Sequence, residues 1–149
     1  MLSSFLKKLL FVRKFFIIDG KIELLDEKQV MLPISILDQL KGKHVFEVAS
    51  RGMKKTIISY DKKIGTTSSG KIKLVQDVYE VMGLGKLQII NLDNKKKGAD
   101  LRIEKTKAEN LDLLQGIIGG LFSFIFSKDF KQENITITKK TDHFEIKIK

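Results

Sequence analysis

The sequence predicts an α+β fold, α/β in the broad sense, in which helices pack against an antiparallel sheet built from hairpins. Three observations carry this expectation. Near the C-terminal end, Ile135 and Ile137 and then Phe144, Ile146 and Ile148 alternate with polar residues on either side of Lys140-Thr141-Asp142, the period-two pattern of a half-buried strand pair. Between residues 44 and 64, Val45, Ala49, Met53, Ile57, Tyr60 and Ile64 recur every three or four positions, which is a helical stripe. The run LDLLQGIIGGLFSFIFS from Leu111 carries no charge between Asp112 and Lys128. It is shorter than the ~20 residues that span a bilayer, so it reads as a buried helix near 110–127.

A chain of 149 residues can bury a core without staples, and one domain over 1–149 is expected. Hydrophobic content of 42% beside 31% charged residues excludes a disordered chain. No cysteine is present, which removes disulfides, thiolate metal sites and thiol catalysis, and a reducing cytoplasm fits that composition. The formal net charge is +10 with a pI near 9.7, which favours anionic neighbours. Almost all of the excess is lysine: only Arg13, Arg51 and Arg102 could form paired contacts to phosphates or guanine edges. A lysine-rich solvated surface is the plainer reading.

The start, MLSSFLKKLLFVRKFF, mixes lysine with apolar residues, but Arg13 and Lys14 interrupt it and no small-residue cleavage site follows. Residues 1–13 are therefore expected to be a retained amphipathic helix, with Leu2, Leu6, Leu9 and Leu10 on one face and Lys7 and Lys8 roughly opposite. Such a helix can cover the core, pair with a second subunit or lie on a membrane surface. Asp19-Gly20 between two apolar runs predicts a two-residue hairpin turn joining strands over 15–18 and 21–25, with Val30, Met31 and Leu32 as a third. Pro33 at a first helical position and Gly42 at a stop predict a short helix over 33–41.

The stretch GTTSSGKI from Gly65 has the spacing of a phosphate-binding loop until its last position. There Ile72 stands where a Ser or Thr hydroxyl would ligate magnesium. The preceding element is a helical stripe ending in Asp61-Lys62-Lys63 rather than a buried strand, so the stretch is read as a connection into the next helix. In that helix, KIKLVQDVYEVMG, Ile72, Val75, Val78, Tyr79 and Met82 mark the inner face. Gly83 and Gly85 end it, LQII begins a strand, and Asn94 to Gly98 make a polar turn bearing Lys95, Lys96 and Lys97. Leu101 and Ile103 alternate with Arg102 and Glu104 in the return strand. Thr106 with Glu109 forms one capping signal for the apolar helix, and Asn110 forms a competing one.

Within that helix Gly116, Gly120, Ser123 and Ser127 make a stripe of small residues. Each helical glycine costs roughly 1 kcal/mol against alanine, so compensation is expected. The compensation is close packing against the sheet or a second subunit, or space for a ligand. On the second reading Gly116, Ile118, Gly119, Gly120, Leu121, Phe122 and Phe126 line an apolar pocket.

The strings IIDGKIELLDEKQVMLPISIL, GLGKLQIINLD and QGIIGGLFSFIF, followed by a terminal hairpin, resemble the vinyl-4-reductase-type domain, a predicted hydrocarbon-binding module. It is similar in fold to the Bet-type subunits of the transport protein particle. The resemblance covers nearly the whole chain after the first dozen residues. It implies helices on an antiparallel sheet, dimerisation and an enclosed small apolar ligand. Members of that family commonly carry a cysteine just before a Phe in the terminal hairpin. Here His143 precedes Phe144, so thiolate metal binding is not implied, and an exposed hairpin histidine is the expectation.

No Ser/His/Asp grouping or carboxylate pair emerges, so neither catalytic residues nor a metal or cofactor are expected. The leading expectation is a cytoplasmic, dimeric, non-catalytic module for a small apolar ligand, with a regulatory role open to it. A second reading is a structural or tethering dimer touching membranes or acidic partners through Lys7, Lys8, Lys95, Lys96 and Lys97. A third is a nucleic-acid-associated regulator, for which no reading helix or stacking platform is evident.

Overall fold

The structure is a computed structural model that describes residues 7–9 and 14–149. The chain divides into two compact units, one ending at Pro33 and one beginning at Ile34. In the first unit residues 7–9 are helical, with Lys7 and Lys8 exposed and Leu9 buried; the remainder of the expected 1–13 helix lies outside the described residues. Strands β1 (Phe15–Ile18), β2 (Lys21–Leu24) and β3 (Glu27–Gln29) form an antiparallel sheet in that order. Asp19 and Gly20 both have positive φ, 50° and 74°, as a two-residue hairpin turn requires.

The third strand differs from expectation. Leu25 and Asp26 also have positive φ, 51° and 63°, so a second tight turn pairs Leu24 with Glu27 and β3 begins at once. Asp26 tolerates the left-handed region, but Leu25 beside it does not announce such a turn, because a leucine there pays a steric cost that glycine avoids. Val30, Met31 and Leu32 follow β3 outside any strand and are exposed.

The second unit begins with a single helical turn, α1 (Ile34–Leu37), extended by turn hydrogen bonds to Leu40 and shorter than the expected 33–41 helix. Then come α2 (Lys43–Ile64), α3 (Gly70–Val81), β4 (Lys86–Asp93), β5 (Gly98–Glu104), α4 (Leu111–Phe126), a 3-10 turn (Gln132–Asn134), β6 (Ile135–Lys139) and β7 (His143–Ile148). The helix ahead of GTTSSGKI is α2, ending at Gly65 in the left-handed conformation. The four strands form an antiparallel sheet in the order β4-β5-β7-β6.

Strand alternation places Leu87, Leu101, Ile103, Phe144, Ile146, Ile148 and Ile135 on the buried side. Cross-strand pairs such as Leu101 with Ile146 and Ile103 with Phe144 join them. The opposite face pairs Arg102 with Glu145 and Asp100 with Lys147. In α2 the buried side chains are Phe46, Met53, Ile57 and Tyr60. Phe46 lies off the stripe read from sequence, whereas Ile64 is exposed. In α3 they are Leu74, Val75, Val78 and Tyr79, with Leu74 in place of Ile72 and Met82 at the edges. The Tyr79 hydroxyl finds no partner among the described residues, and burial pushes its ionisation up.

Asn110 rather than Thr106 caps α4. Its side-chain oxygen accepts from Leu113 N at 2.9 Å, while its Nδ2 donates to the carbonyls of Leu37 at 2.6 Å and Leu40 at 2.5 Å. One buried amide thereby satisfies a helix start and the end of the α1 turn together. Asp112 in the first turn of α4 accepts from Gly42 N at 2.8 Å and so fixes where α2 begins.

The three glycines of α4 meet α2. A Cβ on Gly116 would lie 2.7 Å from both Ala49 Cβ and Phe46 O, and one on Gly120 would lie 2.9 Å from Lys54 N. Backbone approaches backbone at these points, which is the close-packing reading of the glycine stripe. Gly52, on the exposed side of α2, has nothing within 4 Å of such a Cβ. The two sites therefore respond oppositely to the same change. Gly120→Ala should destabilise the chain by about 2 kcal/mol, since overpacking against backbone costs about 3 kcal/mol and helix propensity returns about 1. Gly52→Ala should stabilise it by about 1 kcal/mol. Urea midpoints of the two variants against the native chain measure both shifts, and a neutral Gly120→Ala contradicts the packing account.

Candidate functional site

A groove of about 840 Å³ lies between the N-terminal half of α2 and strand β6, lined by Lys43, Phe46, Glu47, Gln115, Phe130 and residues 131–133 and 135–137. Its walls come from different levels of the fold. Phe46 is there because Gly42 and Asp112 set the start of α2; Ile135 and Ile137 are there because the 3-10 turn delivers the chain into β6. Phe130 belongs to a chain of ring contacts, its centroid 6.1 Å from that of Phe126, which in turn lies 6.1 Å from Phe122.

Polar groups hold the floor. Gln132 Nε2 donates to Asp112 Oδ1 at 2.6 Å and to Gln115 Oε1 at 3.0 Å, and Gln115 Nε2 donates to the Ile135 carbonyl at 2.6 Å. This ladder ties the first turns of α4 to the 3-10 turn and β6, so the groove floor is preorganised rather than loose. Lys43 and Glu47, one helical turn apart, stand on the α2 side.

One backbone edge also faces the groove. Lys149 N donates to Asn134 O at 3.0 Å and Lys140 N donates to His143 O at 2.8 Å. With the β6–β7 register, the even-numbered residues of β6 exchange hydrogen bonds with β7. The odd-numbered residues, Ile135, Ile137 and Lys139, direct their N–H and C=O groups away from the sheet.

The residues singled out from sequence fall beside this groove rather than around it. Gly116 and Gly120 seat α2, and Ile118, Leu121, Phe122 and Phe126 are buried; none of them lines the groove. Gly119 is the link: a Cβ there would lie 3.1 Å from Ile135 Cδ1 and 3.4 Å from Phe46 Cζ, two wall residues that rest in its notch. Phe46, Gln115, Gln132 and Phe130 were missed. Phe46 sits off the α2 stripe, and two glutamines in separate elements carry no spacing signal.

Lys95, Lys96 and Lys97 are exposed at the β4–β5 turn, where Asp93 Oδ1 accepts from the N–H groups of Lys95 and Lys96 at 3.0 Å. Lys147 and Lys149 join Lys96 around a second, smaller concavity at that end of the sheet. Lys7 and Lys8 belong to the other unit.

His143 corrects an expectation. Its side chain is only 17% exposed, with Nδ1 at 2.6 Å from Asp142 Oδ1 and Nε2 at 3.5 Å from Glu145 Oε1. The hydrogen bond to His143 holds the Asp142 carboxyl below its usual value. Burial pushes Glu145 up, but hydrogen bonds and charge from His143 and Lys140 outweigh it and leave that carboxyl lowered too. Among the described residues no group of three or more His, Asp or Glu is placed to hold a metal ion.

Lowered carboxyls contribute stability that is fully present above their ordinary values and is lost as the pH falls through the lowered ones. The stability difference between the native chain and His143→Ala should therefore shrink as the pH drops from about 5 to about 2. Urea midpoints of both chains across that range measure it; a constant gap removes His143 from the linkage.

No family model matches the chain, and no curated protein sequence matches it. In fold it is similar to the phenol-responsive sensory domain of the transcription activator PoxR, solved with phenol. That likeness has a TM-score of 0.70 at 10% sequence identity and covers 99% of this chain and 91% of that one. A looser match, with a TM-score of 0.44 at 10% identity over 78% of this chain and 81% of that one, is a trafficking protein particle complex subunit 3 from Naegleria fowleri covalently bound to palmitic acid. The family resemblance read from the glycine and apolar strings rests on those residues alone; the first likeness shows a common fold, and the second is too loose to carry shared geometry.

Proposed function

We propose that this chain is a non-catalytic binding module for a small apolar or weakly amphiphilic molecule, held in the groove between α2 and β6. The observation that carries the reading is the groove itself. It has about 840 Å³ of space, inside the ~300–1,000 Å³ range of small-molecule sites, with Phe46, Phe130, Ile135 and Ile137 as apolar walls and a fixed amide ladder beneath. A ligand of this class gains from burying apolar surface, at roughly 25 cal/mol per Å², and Gln115, Gln132, Lys43 and Glu47 offer hydrogen bonds to one polar group. The likeness in fold to a phenol-responsive sensory domain supports a sensory or regulatory role, and membership in the vinyl-4-reductase-type family belongs to the same proposal. The α4 residues Gly116, Ile118, Gly119, Gly120, Leu121, Phe122 and Phe126 act from behind, by seating the groove's walls.

Calorimetric titration of the native chain with phenol, 2-naphthol and decanoic acid tests the proposal. At least one should bind with a dissociation constant in the micromolar range, and Gly119→Ala, which pushes Phe46 and Ile135 toward the groove, should weaken it about tenfold while the fold is retained, a loss of ~1.4 kcal/mol. No heat with any of the three, together with no apolar compound in a solvent extract of the purified protein, rejects the reading.

A second reading has its own observation in the gathering of Lys95, Lys96, Lys97, Lys147 and Lys149 at one end of the sheet: contact with an anionic surface. Sedimentation with vesicles containing phosphatidylserine, at low and at physiological salt, should show salt-sensitive binding that Lys95→Ala/Lys96→Ala/Lys97→Ala removes. An unbound native chain at low salt rejects it.

A further inference from the structure

We propose that the molecule held between α2 and β6 is a zwitterion with an apolar body, of the class of a free aromatic or aliphatic α-amino acid. This inference rests on the groove reading above and names the chemistry that the groove selects. Two lysines and two glutamates line it: Lys43 and Glu47 on α2, Lys131 and Glu133 on the side of the 3-10 turn. Their charges cancel, in a chain with 28 lysines and arginines against 18 aspartates and glutamates. The excess collects elsewhere: the concavity between residues 105–109 and 139–144 has Lys105, Lys107, Lys139 and Lys140 against Glu109 and Asp142. The groove is therefore charged in both senses at once rather than basic.

On each side a lysine neighbours a glutamate. Lys43 and Glu47 stand four positions apart on α2, where side chains meet on one helix face. Lys131 Nζ lies 4.0 Å from Glu133 Oε1, with side chains 81% and 76% exposed; so loose and wet a pair stabilises little and yields its charges to a ligand readily. An α-amino acid carries its ammonium and its carboxylate on one carbon, so a single such molecule meets a lysine and the glutamate beside it together. Lys43 comes first on α2, which places the carboxylate at the helix end where negative charge is favoured and the ammonium one turn on, beside Glu47. The floor leaves the recognition of charge to these rims. Gln132 commits both amide hydrogens to Asp112 and Gln115, and Gln115 donates to the Ile135 carbonyl. The apolar side chain then lies on Phe46, Phe130, Ile135 and Ile137. A ligand with a carboxylate alone sets that charge near Glu47 and Glu133 and offers them no counter-charge. One with an ammonium alone does the same at Lys43 and Lys131, and each mismatch works against the wrong ligand.

Calorimetric titration of the native chain at neutral pH with L-phenylalanine, 3-phenylpropionate, 2-phenylethylamine and 2-naphthol tests the assignment; the first three share one apolar body and differ in charge. Phenylalanine should bind about tenfold more tightly than either single-charge relative. Lys43→Ala should lower the affinity for 3-phenylpropionate relative to 2-phenylethylamine about fivefold, and Glu47→Gln should move that ratio about fivefold the other way. Both residues are exposed, circular dichroism confirms that each variant folds, and a ratio between two ligands is insensitive to a general loss of affinity. Phenylalanine bound no more tightly than its relatives overturns the proposal, as does a ratio that neither variant moves. In both cases heat with 2-naphthol leaves the groove reading standing, whereas no heat with any of the four rejects the two together.

Discussion

The contact between α2 and α4 is the constraint on which the second unit depends. Two helices approach so closely that Gly116 and Gly120 meet the backbone of Phe46, Ser50 and Lys54, leaving no room for a methyl group. Three helical glycines cost roughly 3 kcal/mol in conformational terms. That cost is offset because helix axes brought this near gain dispersion contacts along their length and bury Met53, Ile57, Leu114, Ile118 and Leu121 together. The arrangement also buries α4, uncharged from Leu113 to Ser127, with α2 on one side and the sheet on another; no described helix is long and apolar enough to cross a membrane.

The same contact makes the groove. Gly119 receives Phe46 and Ile135 in its notch, so the position of α2 and the position of β6 are both referred to one residue of α4. Asp112 then locks the arrangement from the polar side. It accepts from the N–H of Gly42 at the start of α2 and from Gln132 in the 3-10 turn, at a helix N-terminus where a carboxylate is favoured. A cavity bounded by a helix, a helix floor and a strand edge therefore rests on Asp112 and Gly119, about two turns apart in α4. Side-chain hydrogen bonds from Gln132 to Asp112 and Gln115, and from Gln115 to the Ile135 carbonyl, tie its parts together.

Charge is arranged separately from the core. The outer sheet face carries Arg102 opposite Glu145 and Asp100 opposite Lys147 in register, which keeps this face polar and leaves the apolar face to the helices. Lysines in excess gather at the β4–β5 turn and the end of β7, remote in sequence yet adjacent because β5 pairs with β7. His143 stands on the outer face by the same register, opposite Glu104, with the carboxylates of Asp142 and Glu145 against its ring nitrogens.

Periodicity determined the fold class, the apolar helix near 110–127 and the terminal hairpin around Lys140-Asp142, because burial imposes a repeat of two on strands and of 3.6 on helices; turn chemistry determined the hairpin at Asp19-Gly20. The turn at Leu25-Asp26 escaped, since a leucine at positive φ gives no turn signal of its own. The glycines of α4 were legible as a demand for closeness, but whether a helix, a subunit or a ligand meets that demand depends on what lies opposite. Only the tertiary structure decided that α2 fills the notches at Gly116 and Gly120, that Asn110 outcompetes Thr106 as cap because two carbonyls of α1 wait for its amide, and that the groove opens between α2 and β6. Contacts between residues some seventy positions apart leave no periodic trace in a chain, and a cavity is a property of such contacts.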